Sequence, residues 1–400
     1  MTIAATSRLS ASPRSIKLSY GVLAFFLLAA DLRPALTAVG PLLETIRSSL
    51  GLSSAAAGLL PTLPLLIFAA FSLFAGLGRV FGIERTLAGC LALVVAGILL
   101  RSQGSVVALF GGTVVFAVGI GIANVLMPSL IKRDFPHHVG GMTTAYVMVM
   151  TLMGAAATGL SVPLSGHGAN GWRFSLAVWS AFAALALVCW LPQTRNANAP
   201  VAARPRHGGA TATPIWRSAV AWQVTIFMGL QFLIYYVTIS WVPLFLVDHG
   251  QSAATAGWLL TLYQVMSFAV GVVAPVLMRS GRDQRALAVG ASLVTALSIV
   301  GLLAAPRLAG LWLVVCGSSF GITFILAFAL IGMCTNDHQR AASLSTMSQA
   351  AAYLIAATGP VAFGWLHDHA TGWTLPMLVL LAIALIQAVA GFGAGRQGLA

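Results

Sequence analysis

The chain has 400 residues, of which 59% are hydrophobic and 7% charged, with a net charge of +13. A soluble domain carries about 25% charged residues, so this deficit, with a mean hydropathy of +0.94, excludes a soluble fold and indicates a polytopic membrane protein. The basic residues fall in short clusters between apolar runs, which is the pattern of membrane topology and not of a nucleic-acid surface.

The first apolar run, 18–43, holds Asp31-Leu32-Arg33-Pro34 at its middle. It is too long and too charged for a cleavable signal peptide. A charge at bilayer depth costs about 2.5–3.5 kcal/mol on insertion scales. Such a residue faces a polar cavity by default and marks a functional site. Eleven further runs of membrane length follow, at 53–77, 84–101, 105–131, 140–164, 173–191, 217–247, 252–278, 285–305, 309–333, 341–366 and 374–394. Between the sixth and seventh lies a segment rich in Pro, Ala, Gly and Arg without apolar periodicity. It reads as a linker, 192–215, joining a half at 1–191 to a half at 216–400.

With the N-terminus placed in the cytoplasm, only Arg47, Arg101, Arg173 and Arg307 of the 21 basic residues fall in outside loops. Arg33 lies within a span and the other basic residues lie inside, so both termini are expected to be cytoplasmic. The halves repeat at a nearly constant offset. Ser53–Gly58 recurs as Ser252–Gly257, Ala156-Ala157-Thr158-Gly159 as Ala356-Ala357-Thr358-Gly359, and Gly171-Trp172 as Gly372-Trp373. Parallel six-helix repeats about an axis along the membrane normal are the major-facilitator architecture. The expected fold is therefore an all-α membrane protein of twelve transmembrane helices in two six-helix pseudo-repeats.

The string from Asp31-Leu32-Arg33-Pro34 to Leu43, and the string from Gly121 through Asn124 and Pro128 to Pro136, resemble the cyanate permease (CynX/NimT-like) family of the major facilitator superfamily. Ala57–Pro64 and Gly171-Trp172-Arg173 fit the same branch. The stretch Gly76–Arg85 keeps Gly82, Arg79 and Arg85 of the superfamily's usual loop but lacks its Asp. The resemblance implies a secondary transporter of the bacterial inner membrane, multi-pass and monomeric, whose central cavity is lined by the first, fourth, seventh and tenth helices.

On those helices the mid-membrane polar residues are Asp31 and Arg33, Asn124, and Gln231, Tyr235 and Tyr236, with Ser318, Ser319 and Thr323 on the tenth. Aligned by the repeat, Arg33 falls opposite Tyr235 and Asn124 opposite Phe324, so charge and amide on one side meet aromatics on the other. An arginine fork suits a carboxylate-like anion. An ion pair with Asp31 is the competing use of Arg33, though residues two apart on a helix do not face each other well. Asp31 has two readings, a proton-coupling carboxylate or a group that hydrogen-bonds a neighbouring helix. Asn124 either meets solute or joins helices. Tyr263, Gln264, Gln349 and Tyr353 are further candidates for the substrate pocket.

Histidines all lie in loops, helix ends or the linker. The cluster His367-Asp368-His369 reads as a solvated loop, and a three-residue metal site there is a weak alternative. No phosphate-cradling motif, catalytic constellation, cofactor or metal site is expected, so the chain is not read as an enzyme. The expected partners are a small-molecule solute, membrane lipid and protons as a coupling ion. The expected function is secondary active transport of a small anionic or polar solute (cyanate-like, carboxylate-like or nitroimidazole-type). A proton-driven multidrug exporter of the same fold is the alternative. A membrane sensor, a lipid enzyme and a passive channel are weaker readings, since soluble domain, reactive cluster and charge ring are all missing from the sequence.

Overall fold

The computed structural model describes residues 13–72, 82–166, 168, 170–196, 215–278, 283–335, 338–370 and 372–396. Most of the expected linker and most of the degenerate loop after the second span lie outside these residues. The described residues form α-helices and short 3-10 turns, with no strand among them.

The first apolar run is not one helix. It breaks into α1 (Pro13–Asp31), a single turn α2 (Pro34–Thr37), a 3-10 turn at Gly40–Leu42 and α3 (Leu43–Leu50). The break falls where Pro34 and then Gly40-Pro41 interrupt the ladder, and Gly51 ends α3 in the left-handed conformation at φ 63°. The rest of the first half is α4 (Ser54–Ser72), α5 (Ile83–Arg101), α6 (Val106–Asp134), α7 (Val139–Ser165) and α8 (Gly171–Trp190). The second half is α9 (Ala219–Asp248), α10 (Ala253–Leu277), α11 (Arg285–Ala304), α12 (Ala309–Met333), α13 (His338–His369) and α14 (Thr374–Ala394). Among the described residues, 11 helical segments are long and apolar enough to cross a membrane. The twelfth position is filled by α13, 32 residues long and diluted by Ser, Gln and His.

Serines start several helices by accepting from the third residue on: Ser105 from Ala108 N–H, Ser218 from Ala221 and Ser252 from Thr255. Large apolar side chains such as Val107, Phe174, Val188 and Val389 stay exposed, as a lipid-facing surface requires.

The two halves meet through α4 against α13 and α7 against α10. The sequence repeat appears here as paired contacts. Thr62 donates to the Ala357 carbonyl at 3.0 Å, and its repeat mate Thr261 donates to the Ala155 carbonyl at 2.9 Å. A Cβ on Gly58 would lie 2.4 Å from the Pro360 carbonyl oxygen, and one on Gly257 would lie 3.3 Å from the Thr158 oxygen. Glycine at both positions lets backbone approach backbone, as in small-residue helix pairs in membranes. These contacts gather at the N-terminal ends of α4 and α10 and the C-terminal ends of α7 and α13. At the opposite end of α7, Gly140 and Gly141 have nothing within 4 Å. The bundle is therefore closed between its halves at the end where α7 and α13 finish.

Candidate functional site

Leu32 and Arg33 form the turn between α1 and α2, and this turn separates the acid from the base. Asp31 is 1% exposed, and neither carboxylate oxygen has a hydrogen-bond partner. Arg33 points the other way. Its Cβ packs on Gly154 of α7, and its guanidinium lies 5.9 Å from the centre of the Tyr235 ring, within cation–π reach. Its charged and titratable neighbours are Tyr235, Tyr236, Tyr353 and Tyr146, with no carboxylate among them. The Asp31–Arg33 ion pair is thus not formed. Arg33 remains partly exposed, a cation without a counter-charge among the described residues.

The facing wall is aromatic. Tyr235 stacks on Phe320 at 4.9 Å and on Tyr263 at 6.4 Å. Phe320, Phe324 and Phe328 follow at helical spacing along α12, at 5.7 and 5.2 Å. Phe232 bridges Phe324 and Tyr353, and Tyr353 meets Phe68 of the first half. Neighbouring polar side chains tie helices together: Thr37 donates to the Gly154 carbonyl at 2.8 Å, and Gln264 donates to Thr158 Oγ1 at 2.9 Å. The arrangement sets the Arg33 guanidinium against aromatic faces.

The other candidates are placed differently. Gln231 is buried with both amide ends used, donating to the Phe320 carbonyl and accepting from Gln387 Nε2. It ties α9 to α12 and α14. Gln264 belongs to the joint between α7 and α10. Tyr263 is fully buried, its hydroxyl without a partner. Gln349 donates to Ser345 Oγ. Asn124 sits partly exposed on α6 and makes no hydrogen bond among the described residues.

Two features differ from the sequence reading. His367-Asp368-His369 is not a solvated loop but the end of α13. Asp368 accepts from the Ser54 and Ala55 N–H groups at 3.1 and 2.9 Å, while Ser54 Oγ meets His367 Nδ1 at 3.3 Å. Ser53 Oγ takes the next N–H, that of Ala56. One half thus supplies the anion for the first turn of a helix in the other. Burial raises the Asp368 carboxyl, but the bonds from Ser54 and Ala55 outweigh it and hold the group below the ordinary carboxylate range. Arg101 is the second difference. It is not a loop residue but a buried one, 1% exposed, donating from Nη1 to the Ala35 carbonyl at 2.7 Å. Its topology charge hid this, because only the break after α2 leaves that carbonyl without a helical partner.

Comparison with known proteins agrees with this architecture. Residues 22–357 match the family model described as Major Facilitator Superfamily. The chain is 42% identical over 372 residues to the 2-nitroimidazole transporter of Escherichia coli (strain K12), covering 93% of this chain and 94% of that one. It is 30% identical over 380 residues to the cyanate transport protein CynX of the same organism, covering 91% and 95%. Among solved structures, a bacterial homolog to the human lysosomal transporter Spinster, inward-facing and unoccupied, superposes with a TM-score of 0.79 at 16% identity, covering 97% and 98%. A broken first helix, two six-helix repeats and full-length relatives that are transporters and not enzymes lead to one assignment: the chain belongs to the major facilitator superfamily, in its CynX/NimT-like branch.

Proposed function

We propose that the protein is a secondary active transporter of a small planar anion or anion-like solute, moved by alternating access around Arg33. The observation that carries this is a partly exposed guanidinium with no carboxylate beside it, facing tyrosine and phenylalanine rings. Cyanate, small aromatic carboxylates and nitroimidazoles share a compact, flat, electron-rich end that an arginine fork binds. The names of the two relatives fall in that class. A cation exporter would need an acid facing the cavity. Asp31 is the acid on this helix, and it is buried away from Arg33.

Asp31 suits proton coupling. A carboxylate buried without a partner is costly when charged and far less so when protonated, so its protonation state and the packing of α1 depend on each other. The halves, 1–191 and 216–400, rock about the central site. With both termini cytoplasmic in a bacterial inner membrane, a reading that the distribution of basic residues supports, the closed end faces outward and the site opens inward. Proteoliposome counterflow tests this reading. Preloaded 2-nitroimidazole or cyanate is expected to drive saturable uptake of the labelled solute. Asp31→Asn is expected to keep counterflow and lose accumulation driven by a proton gradient. Flux that does not saturate, or an absence of counterflow for every flat anion and nitro compound tried, contradicts it.

A further inference from the structure

Arg101 is unusual chemistry for its place. It closes α5, is 1% exposed, and lies in a chain where few charges enter the bundle. Its Nη1 is held by the Ala35 carbonyl, and its guanidinium lies 4.7 Å from the centre of the Phe116 ring. Nε and Nη2 have no hydrogen-bond partner. No carboxylate pairs with it among the described residues. An arginine stays charged at any accessible pH, and a buried charge is costly unless it is paired. A tether to one carbonyl therefore accounts for only part of this residue.

The space beside it is a cavity of about 10 Å³, measured as room for the centre of a water molecule. That is close to the minimum for one water. Its walls come from both halves: Ala35 and Leu60 on one side, Tyr236 and Ile239 on the other. Tyr236 is also a close neighbour of Arg33. Arg101 thus lies one side chain beyond the central site, toward the closed end. Any parting of the halves there widens this cavity.

We infer that Arg101 is a second anion station, occupied when the closed end opens, that takes the same small anion between the outer face and Arg33. The inference rests on the anion reading of Arg33. The two free N–H groups form one edge of the guanidinium fork, the edge that binds two oxygens or an oxygen and a nitrogen of a small anion. Tyr236, shared by both sites, is the partition between the stations.

The test is binding of labelled cyanate to the full-length protein in nanodiscs, measured by scintillation proximity. Each variant is measured alone and with Gly58→Trp, which holds α4 away from α13. Arg33→Ala is expected to keep a saturable component, enlarged by Gly58→Trp. Arg33→Ala with Arg101→Gln is expected to lose that component. If the Gln variant does not fold, Arg101→Lys keeps the charge and a donor for Ala35 but not the fork, and is expected to weaken the component about tenfold. Equal binding by Arg33→Ala and Arg33→Ala/Arg101→Gln in the Gly58→Trp background overturns the inference, as does unchanged affinity in Arg101→Lys. Failure of the Arg33 reading looks different, since Arg33→Ala alone would then bind like wild type.

Discussion

Asp368→Ala tests how the two halves are held together at the closed end. Asp368 supplies a carboxylate to the first two N–H groups of α4, and the next N–H is already taken by Ser53 of its own chain segment. Opening transfers those two N–H groups to water. Losing a side-chain acceptor at a helix N-terminus costs about 1 kcal/mol, within a range of about 0.5–2, and the favourable charge–dipole contact adds up to about 1 at an exposed site. The closed state should therefore lose roughly 1–2 kcal/mol, a factor of about 5–30 in the closed-to-open ratio. Spin labels at the exposed positions Ser48 and Thr374, with the four native cysteines replaced by alanine, report the separation of the halves at the closed end. Asp368→Ala is expected to enlarge the long-distance population. In the unmutated latch the carboxyl titrates below its ordinary value when closed. Its contribution is therefore complete above the ordinary carboxylate pKa, about 4, and is lost as pH falls through the lowered one. Acidification should lengthen the distance in wild type and leave Asp368→Ala unchanged. Identical distance distributions in wild type and Asp368→Ala at neutral pH would refute the latch.

Three further outcomes follow from the same contacts. Gly58→Leu places side-chain atoms where a Cβ alone is 2.4 Å from the Pro360 oxygen, so it should hold the halves apart at the closed end and stop counterflow; spin-label distances and transport check it together. Gln231→Ala strips the partner from Gln387 Nε2, while the Phe320 carbonyl keeps the Thr323 hydroxyl, and should cost about 1–3 kcal/mol of stability, read as a lowered Tm with solute affinity retained. Gln231→Leu with Gln387→Leu should restore most of that Tm, because both buried ends are then apolar. Tyr235→Ala should weaken solute binding about tenfold through loss of the ring facing Arg33 and Phe320, while Tyr235→Phe changes it little; titration of both variants with 2-nitroimidazole decides.

The spans were legible because a bilayer demands about twenty apolar residues and leaves few ways to arrange them. Helix edges such as Ser53–Ser54 and Arg285 follow from local capping and loop chemistry. Two-residue spacing already disfavoured an Asp31–Arg33 pair on a helix, but what separates them is the turn at Leu32-Arg33 that ends α1, which the spacing did not supply. What was not readable depends on a distant partner. Gln231 looks like a solute ligand until Gln387, on another helix, occupies its carbonyl. Arg101 looks like a topology charge until α2 ends early and offers it the Ala35 carbonyl. Asp368 looks like a loop acid until α4, from the other half, presents its first N–H groups. Polar residues in membranes serve both joints and sites, and local sequence does not separate the two uses.

Arg33 is assigned the solute's negative end, and titration of purified wild type, Arg33→Lys and Arg33→Ala with cyanate and 2-nitroimidazole while following Tm checks that role. Wild type should gain stability with ligand as mass action requires, about 2.7 kcal/mol at a hundredfold excess over Kd. Arg33→Ala should gain far less than wild type, no more than the weak component assigned to Arg101 supplies, and Arg33→Lys should need a much higher concentration, with all three sharing a similar ligand-free Tm. Ligand-dependent stabilisation of Arg33→Ala equal to that of wild type would contradict the account.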